Sequence, residues 1–133
     1  MLFGQEHVRR YIQTDGAEGH DWQGAKVLLL STTGRRTGTH RTTPLIYGTR
    51  DADYVVIASR GGAPEHPAWY LNLVAEPKVE VQVRADRFTA RARTATGAER
   101  SELWEAAVQR WPAYDGYQSK TEREIPVVVL ERT

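Results

Sequence analysis

A run of small and basic residues between two apolar segments is the first place where this sequence could do chemistry. Residues 31–45 read STTGRRTGTHRTTPL and include Arg35, Arg36 and Arg41. Guanidinium groups hold phosphate or carboxylate oxygens by paired, charge-assisted hydrogen bonds, and the glycines of the segment let its backbone turn tightly. The segment lacks the Gly-Lys-Ser/Thr sequence of a P-loop. It therefore predicts either an anion-binding loop or a solvated basic hairpin.

A pair of glycines directly after a predicted strand is a second candidate anion site. Residues 54–60 read YVVIASR, and Gly61 and Gly62 follow them. Successive backbone amides in such a turn can form a nest that binds an anion, although two glycines after a strand are more often a simple turn. Because this turn follows the arginine-rich loop within one meander, the sequence predicts two loops that close on one anionic ligand.

Aromatic residues recur at every third position towards the C-terminus. Trp111, Tyr114 and Tyr117 could cover a flat ligand, and a tyrosine hydroxyl could donate a hydrogen bond or a proton to it. Trp111 also continues the apolar stripe of a predicted helix, so core packing is an alternative for that residue. Tyr114 and Tyr117 lie beyond that helix and are the stronger candidates for a site.

Composition excludes several classes of chemistry. The chain has no cysteine, and its four histidines show no metal-ligand spacing, so thiol chemistry and a metal site are not predicted. The formal net charge is only +1, which argues against a nucleic-acid-binding surface. Between Trp22 and Arg50, however, the sequence has no acidic residue. A segment whose charged residues are all positive indicates a local anionic ligand.

The sequence around these candidate residues predicts a small, mostly antiparallel barrel that would position them. The connections between strands are too short for crossover helices, and 133 residues suit one domain, 1–133. Residues 1–20 read as an amphipathic helix and linker. The fold class is therefore mainly β with inserted helices (α+β). The predicted strands are 26–33, 42–50, 54–60, 78–84, 87–96 and 125–131.

Two helices are predicted between the strands. One is short and lies before Pro77, and the other spans 97–111, where Thr96 and Glu99 have the spacing of a capping box. Residues 112–124, PAYDGYQSKTERE, read as a polar aromatic loop that leads to the last strand.

Four segments in this order resemble the deazaflavin-dependent nitroreductase family, actinobacterial proteins related to quinone reductases that use reduced coenzyme F-420. They are LLLSTTGRRTGTHRTTPL, VVIASRGGAPEHPAWYLNL, PKVEVQV and YDGYQSKTEREIPVVVLE. The resemblance extends from about His20 to the C-terminus. It implies a split β-barrel of the flavin- and deazaflavin-binding type. It also implies an oxidoreductase that transfers a hydride from reduced coenzyme F-420 to a quinone-like or nitroaromatic acceptor.

The resemblance also implies roles for individual residues. In this family the basic loop holds the phosphate and oligoglutamate tail of the coenzyme, and a Ser-Lys-Gly-Gly turn, here with Arg60 in place of Lys, contributes further contacts. Tyr114 and Tyr117 match tyrosines on the substrate side and are the implied catalytic residues, whereas Trp111 stands where some relatives carry another tyrosine. The implied cofactor contacts are Arg35, Arg36, Thr37, Arg41, Thr43, Pro44, Leu45, Ser59, Arg60, Gly61, Gly62, Trp69 and Asn72.

Alternatives stay open at this point. FMN is the alternative cofactor within the same barrel, although three arginines favour the more anionic deazaflavin tail. Two other hypotheses are a nucleic-acid-binding barrel and a carrier that sequesters the coenzyme without turnover. The expected partner is a small-molecule acceptor such as menaquinone or another quinone, with no nucleic acid. The expected location is cytoplasmic. Peripheral membrane contact through the N-terminal helix and a homodimer are both open.

Overall fold

Six strands close into an antiparallel barrel in the computed structural model, which describes residues 2–133. The barrel order is β2-β3-β4-β7-β6-β5, and β5 pairs back onto β2, while the short β1 adds to β2 outside the ring. The strands are β1 Asp21–Trp22, β2 Ala25–Thr33, β3 His40–Arg50, β4 Asp53–Ile57, β5 Lys78–Val83, β6 Asp86–Thr94 and β7 Val127–Arg132.

Four helices accompany the barrel: α1 Gly4–Thr14, α2 Ala68–Ala75, α3 Gly97–Arg110 and α4 Ala113–Ser119. The predicted fold class, mainly β with inserted helices, is confirmed. Among residues 2–133 the longest helix has 14 residues, and none is both long and apolar enough to cross a membrane.

The interior of the barrel follows the alternation of the strands. On β5, Val79 and Val81 point inwards and are buried, whereas Glu80 between them is exposed. This period of two is what a sheet with one wet face requires. The interior side chains are Leu28, Leu30, Val56, Val79, Val81, Ala90, Ala92, Val128 and Leu130.

Strand β2 is buried on both faces, which explains its unbroken apolar run. Leu28 and Leu30 fill the barrel, and Val27 and Leu29 pack outside it against α1. Tyr11 of α1 is fully buried in this contact. Its hydroxyl donates a hydrogen bond to the carbonyl oxygen of Val27 at 3.0 Å. Helix α1 is therefore fixed to the barrel by packing and by a buried hydrogen bond.

Helices α3 and α4 cover the opposite outer face, on β4 and β7. Leu103 and Ala107 of α3 and Tyr114 of α4 pack there against Val55 and Val129. The prediction of a loop over residues 112–124 is wrong where α4 forms. A proline and a glycine weaken the helical propensity of this segment, and tertiary packing overrides that weakness.

The predicted capping box at the start of α3 is also wrong. Thr96 is the N-cap residue, but its side chain makes no capping hydrogen bond. The carboxylate of Glu99 instead accepts two hydrogen bonds from Arg93 of β6, at 2.6 and 2.8 Å. A bidentate pair with a guanidinium is stronger than a single bond to a backbone amide, so the helix is tied to the barrel instead of capping itself.

Candidate functional site

A cleft of about 440 Å³ lies between α1, β3, α2 and α4. It is lined by residues from five segments of the chain, within 2–7, 22–27, 44–46, 57–69 and 111–117. The predicted site residues that line the cleft are Pro44, Leu45, Ser59, Arg60, Gly61, Trp69, Tyr114 and Tyr117. The predicted residues outside its lining are Arg35, Arg36, Thr37, Arg41, Thr43, Gly62 and Asn72.

An aromatic wall on the N-terminal side of the cleft joins Trp111, a candidate from the sequence, to Phe3 and Trp22, which were not predicted as site residues. The ring of Trp22 lies 6.1 Å from that of Trp111 and 5.8 Å from that of Phe3, measured between centroids. The indole of Trp22 also donates to the carbonyl of Leu2 at 3.0 Å. The sequence feature that could have indicated this wall is the continuous apolar run of β2. Such a run needs a cover on the outer face of the strand, and α1 supplies that cover next to the cleft. Trp111 thus lines the cleft and also packs against the hydrophobic cluster beneath α3 and α4.

The basic loop leaves two guanidinium groups without partners. Its backbone is closed by a hydrogen bond from the Gly34 amide to the Thr39 carbonyl, at 2.8 Å. Arg36 and Arg41 are exposed, and within residues 2–133 neither has a carboxylate at ion-pair distance. Unpaired exposed cations are free to bind an anion, which is the arrangement that a phosphate or carboxylate tail needs.

Asn72 supports this loop from beneath and does not line the cleft. Its side-chain oxygen accepts from the backbone amide of Arg35 at 3.2 Å and from the guanidinium of Arg35 at 3.0 Å. Its amide nitrogen donates to the Thr32 hydroxyl at 3.3 Å. Asn72 therefore ties the loop to α2, the helix that carries Trp69. One nitrogen of the Arg35 guanidinium is already used in this hydrogen bond.

The turn after β4 has an uncommon backbone. Arg60, Gly61 and Gly62 all have positive φ, at 47°, 64° and 83°. The amide of Gly62 donates to the Ser59 carbonyl at 3.0 Å, so only the amides of Arg60 and Gly61 are left for an anion. A β-carbon on Gly62 would lie 2.5 Å from the carbonyl oxygen of Tyr117. Gly62 thus allows α4 to approach the turn closely.

Arg123 holds the shape of this turn, and the sequence reasoning did not single it out. Its guanidinium donates to the carbonyls of Ser59, Ala63 and Ala58 at 2.7, 2.9 and 3.3 Å and to Nδ1 of His66 at 3.1 Å. Burial lowers the pKa of Arg123 from its ordinary value. Because Arg123 binds the carbonyls of Ser59, Ala63 and Ala58, it acts as a positioning residue for the turn that lines the cleft.

We expect Arg123→Ala to lower the free energy of unfolding by about 2 kcal/mol, because several turn carbonyls lose their donor. Urea denaturation measures this difference. The matched control is Arg87→Ala, since the hydrogen bond that Arg87 donates is to the exposed carboxylate of Asp15. Exposed pairs contribute at most about 1 kcal/mol. An equal loss in both variants would contradict the role given to Arg123.

The two predicted catalytic tyrosines differ in their surroundings. Tyr114 is buried, and this burial raises the pKa of its hydroxyl to about 12, while the charge of Arg110 acts in the opposite direction. Tyr117 is half-buried and its ring meets that of Tyr114 edge-on, at 6.1 Å between centroids. Neither hydroxyl is hydrogen-bonded to any part of the chain from residue 2 to residue 133. Tyr114 therefore presents a protonated hydroxyl at the cleft.

Sequence comparison relates the chain to proteins of one activity. A family model described as F420H(2)-dependent quinone reductase matches residues 3–132. Two curated proteins of Mycobacterium tuberculosis, each named F420H(2)-dependent quinone reductase, are 44% identical to it over 131 residues. These alignments cover 95% of this chain and 87% of each relative.

Solved structures agree with this relationship. A structure titled F420-H2 dependent reductase (FDR-A) has a TM-score of 0.73 and 40% identity, covering 79% of this chain and 93% of its own. A domain-swapped dimer has a TM-score of 0.77 and 37% identity, covering 96% of both chains. HutZ, the heme storage protein from Vibrio cholerae, has a TM-score of 0.67 over 84% of both chains, but its 16% identity supports the fold alone.

Proposed function

Because the chain belongs to the F420H(2)-dependent quinone reductase family, we propose that its cleft binds reduced coenzyme F-420 beside a quinone-type acceptor. The protein is an oxidoreductase that depends on coenzyme F-420, and its barrel is of the split type found in F-420-dependent reductases. The proposal concerns the finer points, namely which residues hold the coenzyme and which face the acceptor.

The chemistry of the side chains suits such a coenzyme. Arg36 and Arg41 supply unpaired positive charge for its phosphate and oligoglutamate tail. The amides of Arg60 and Gly61 supply further donors, and the apolar surface of Pro44 suits the flat ring system. Each of these contacts fits a different part of one long, anionic and partly aromatic molecule.

The residues of the cleft would act mainly by positioning and by proton supply. When bound, the coenzyme supplies a hydride, which carries two electrons to the acceptor. The wall of Trp22 and Trp111 would keep water from the reacting atoms and orient the acceptor ring. Tyr114 would donate a hydrogen bond to the acceptor oxygen that gains electron density, and then its proton, which solvent replaces.

The observation that carries this proposal is the convergence of Pro44, Gly61, Trp69 and Tyr114 on one cleft. The test is a fluorescence titration of the purified protein with coenzyme F-420 and, in parallel, with FMN, followed by oxidation of the reduced coenzyme in the presence of menadione. We expect selective, saturable F-420 binding and menadione-dependent turnover. Preference for FMN would assign the chain a flavin cofactor, and binding without turnover would indicate a carrier.

Assembly and location belong to the same proposal. A homodimer is supported by the similarity to a domain-swapped dimer, and light scattering of the purified protein tests it. Peripheral membrane contact is supported by Phe3, which is 62% exposed at the edge of the cleft. A cytoplasmic protein with such a contact would meet a lipid quinone such as menaquinone at the membrane. Flotation with lipid vesicles, compared between the native protein and Phe3→Ser, tests that contact.

A further inference from the structure

A second cavity, of about 350 Å³, lies beside β2 and β3 at the end of these strands opposite to the basic loop. Two of the residues that line it, Lys26 and Arg110, are cationic, and both are exposed. Six strand residues separate Lys26 from Thr33, so at about 3.3 Å per residue the cavity lies some 20 Å from the loop. A coenzyme tail held by the loop would leave this cavity free.

A glycine makes room for the guanidinium of Arg110. A β-carbon on Gly48 would lie 2.0 Å from Cζ of Arg110 and 2.1 Å from one of its terminal nitrogens, which no side chain could tolerate without displacing the guanidinium. The arginine therefore rests directly on the backbone of β3. This contact places a positive charge at the cavity wall.

The carboxylates of Asp21 and Glu102 do not neutralise these cations. Asp21 lies opposite Lys26 in the β1–β2 pairing, but its carboxylate is 82% exposed and accepts from Nδ1 of His20 at 2.9 Å. Glu102 of α3 pairs with Arg50 at 2.7 Å. In the part of the chain that the structure describes, neither Lys26 nor Arg110 has a carboxylate at ion-pair distance.

The second cavity adjoins the cleft. Ile46 lines both, and Arg110 directly precedes Trp111 of the aromatic wall. The positive charge of Arg110 also lowers the pKa of Tyr114, against the larger effect of burial, so the two side chains are within electrostatic reach of each other. A ligand held near Tyr114 could therefore extend a substituent towards Arg110.

We propose that this cavity binds an anionic substituent of the acceptor, a carboxylate or sulfonate carried on a quinone ring, between Lys26 and Arg110. The inference rests on the function proposed above and deepens it by adding, beside uncharged lipid quinones, a class of acceptor that carries an anionic group. Oxyanions match both cations, since a guanidinium binds them through two parallel hydrogen bonds and an ammonium as a point charge. The basic loop at the other end would hold the coenzyme tail, so the two anions would occupy separate sites.

The test compares two acceptors, menadione and a naphthoquinone sulfonate, both with reduced coenzyme F-420. The quantity measured is the ratio of kcat/KM for the sulfonate to kcat/KM for menadione, so that effects common to both quinones cancel. We expect Arg110→Met to lower this ratio about tenfold, the size of one charge-assisted contact to an exposed group. Lys26→Met should lower it in the same direction.

Gly48→Ala provides a variant that keeps both charges. Its added methyl group should push the guanidinium away from β3, and the ratio should fall although no cation has been removed. Arg91→Met is the matched control, because Arg91 is an exposed cation on β6 that lines neither cavity. Its ratio should equal that of the native protein.

Two results would overturn the inference. One is a ratio unchanged in both Arg110→Met and Gly48→Ala, with thermal melts showing that the variants are folded. The other is weaker coenzyme binding by Arg110→Met without a change in the ratio, which would place the coenzyme tail in this cavity. Menadione turnover together with an unchanged ratio would contradict only the anion site. Absence of turnover with both quinones in the native protein would contradict the proposed function as well.

Discussion

The double variant Arg36→Ala, Arg41→Ala is expected to bind coenzyme F-420 about 100-fold more weakly than the native protein. Removing each guanidinium would remove charge-assisted hydrogen bonds to the phosphate or the oligoglutamate tail of the coenzyme. Such bonds contribute about 1.5–3 kcal/mol each. Both side chains are exposed and unpaired, so their removal breaks no bond within the described part of the chain. Fluorescence titration of the coenzyme measures the dissociation constant.

Two controls make this result specific to the loop. Arg91→Ala removes an exposed cation from β6, outside the cleft, and should leave the affinity unchanged. Raising the salt concentration should weaken binding by the native protein more steeply than binding by the double variant, since screening acts on the charges that the variant lacks. A double variant with native affinity would mean that the loop is a solvated hairpin.

The second large effect concerns the proton donor. We expect Tyr114→Phe to lower kcat with menadione on the order of 100-fold, the lower end of the range for loss of a general acid. Coenzyme affinity should be retained, because the phenylalanine keeps the ring that packs against β4 and β7. Steady-state kinetics together with the coenzyme titration separate the two quantities.

Tyr70→Phe is the matched control for this change. The hydroxyl of Tyr70 is hydrogen-bonded to Thr94 at 2.9 Å and does not line the cleft, so its loss should leave kcat near the native value. The pKa of Tyr114 is raised to about 12, so the native hydroxyl stays protonated below about pH 11. The native rate should therefore show no decline from this group between about pH 6 and about pH 10. An unchanged kcat in Tyr114→Phe would exclude it as the proton donor.

Local sequence pattern was sufficient for most of the barrel. The alternation around Val79 and Val81 predicts a strand with one buried face, and the structure has it. The uninterrupted run through Leu28 and Leu30 predicts a fully buried strand, and both its faces are covered. These assignments succeeded because the period of two and the short connections are properties of neighbouring residues.

The remaining features depend on partners that are distant along the chain. Arg123 lies in a polar run, residues 118–124, that looks like a solvated loop. The role of Arg123 appears only when the turn after β4 is brought against it. The contact between Trp22 and Trp111 joins residues nearly at opposite ends of the sequence. Helix α4 forms through packing of Tyr114 against the barrel, in spite of its weak helical propensity. No local pattern encodes such contacts.

The position of β7 in the barrel has a consequence for the newly made chain. This strand is the last of the seven along the sequence, yet it lies between β4 and β6 and pairs with both. The strands made before it can form only an open sheet, β4-β3-β2-β5-β6, in which β4 and β6 are the two edges. Until Val127–Arg132 emerge, Val55 and Ile57 have an unpaired edge beside them, which can pair with another nascent chain. Barrel closure must wait until these last strand residues have been made.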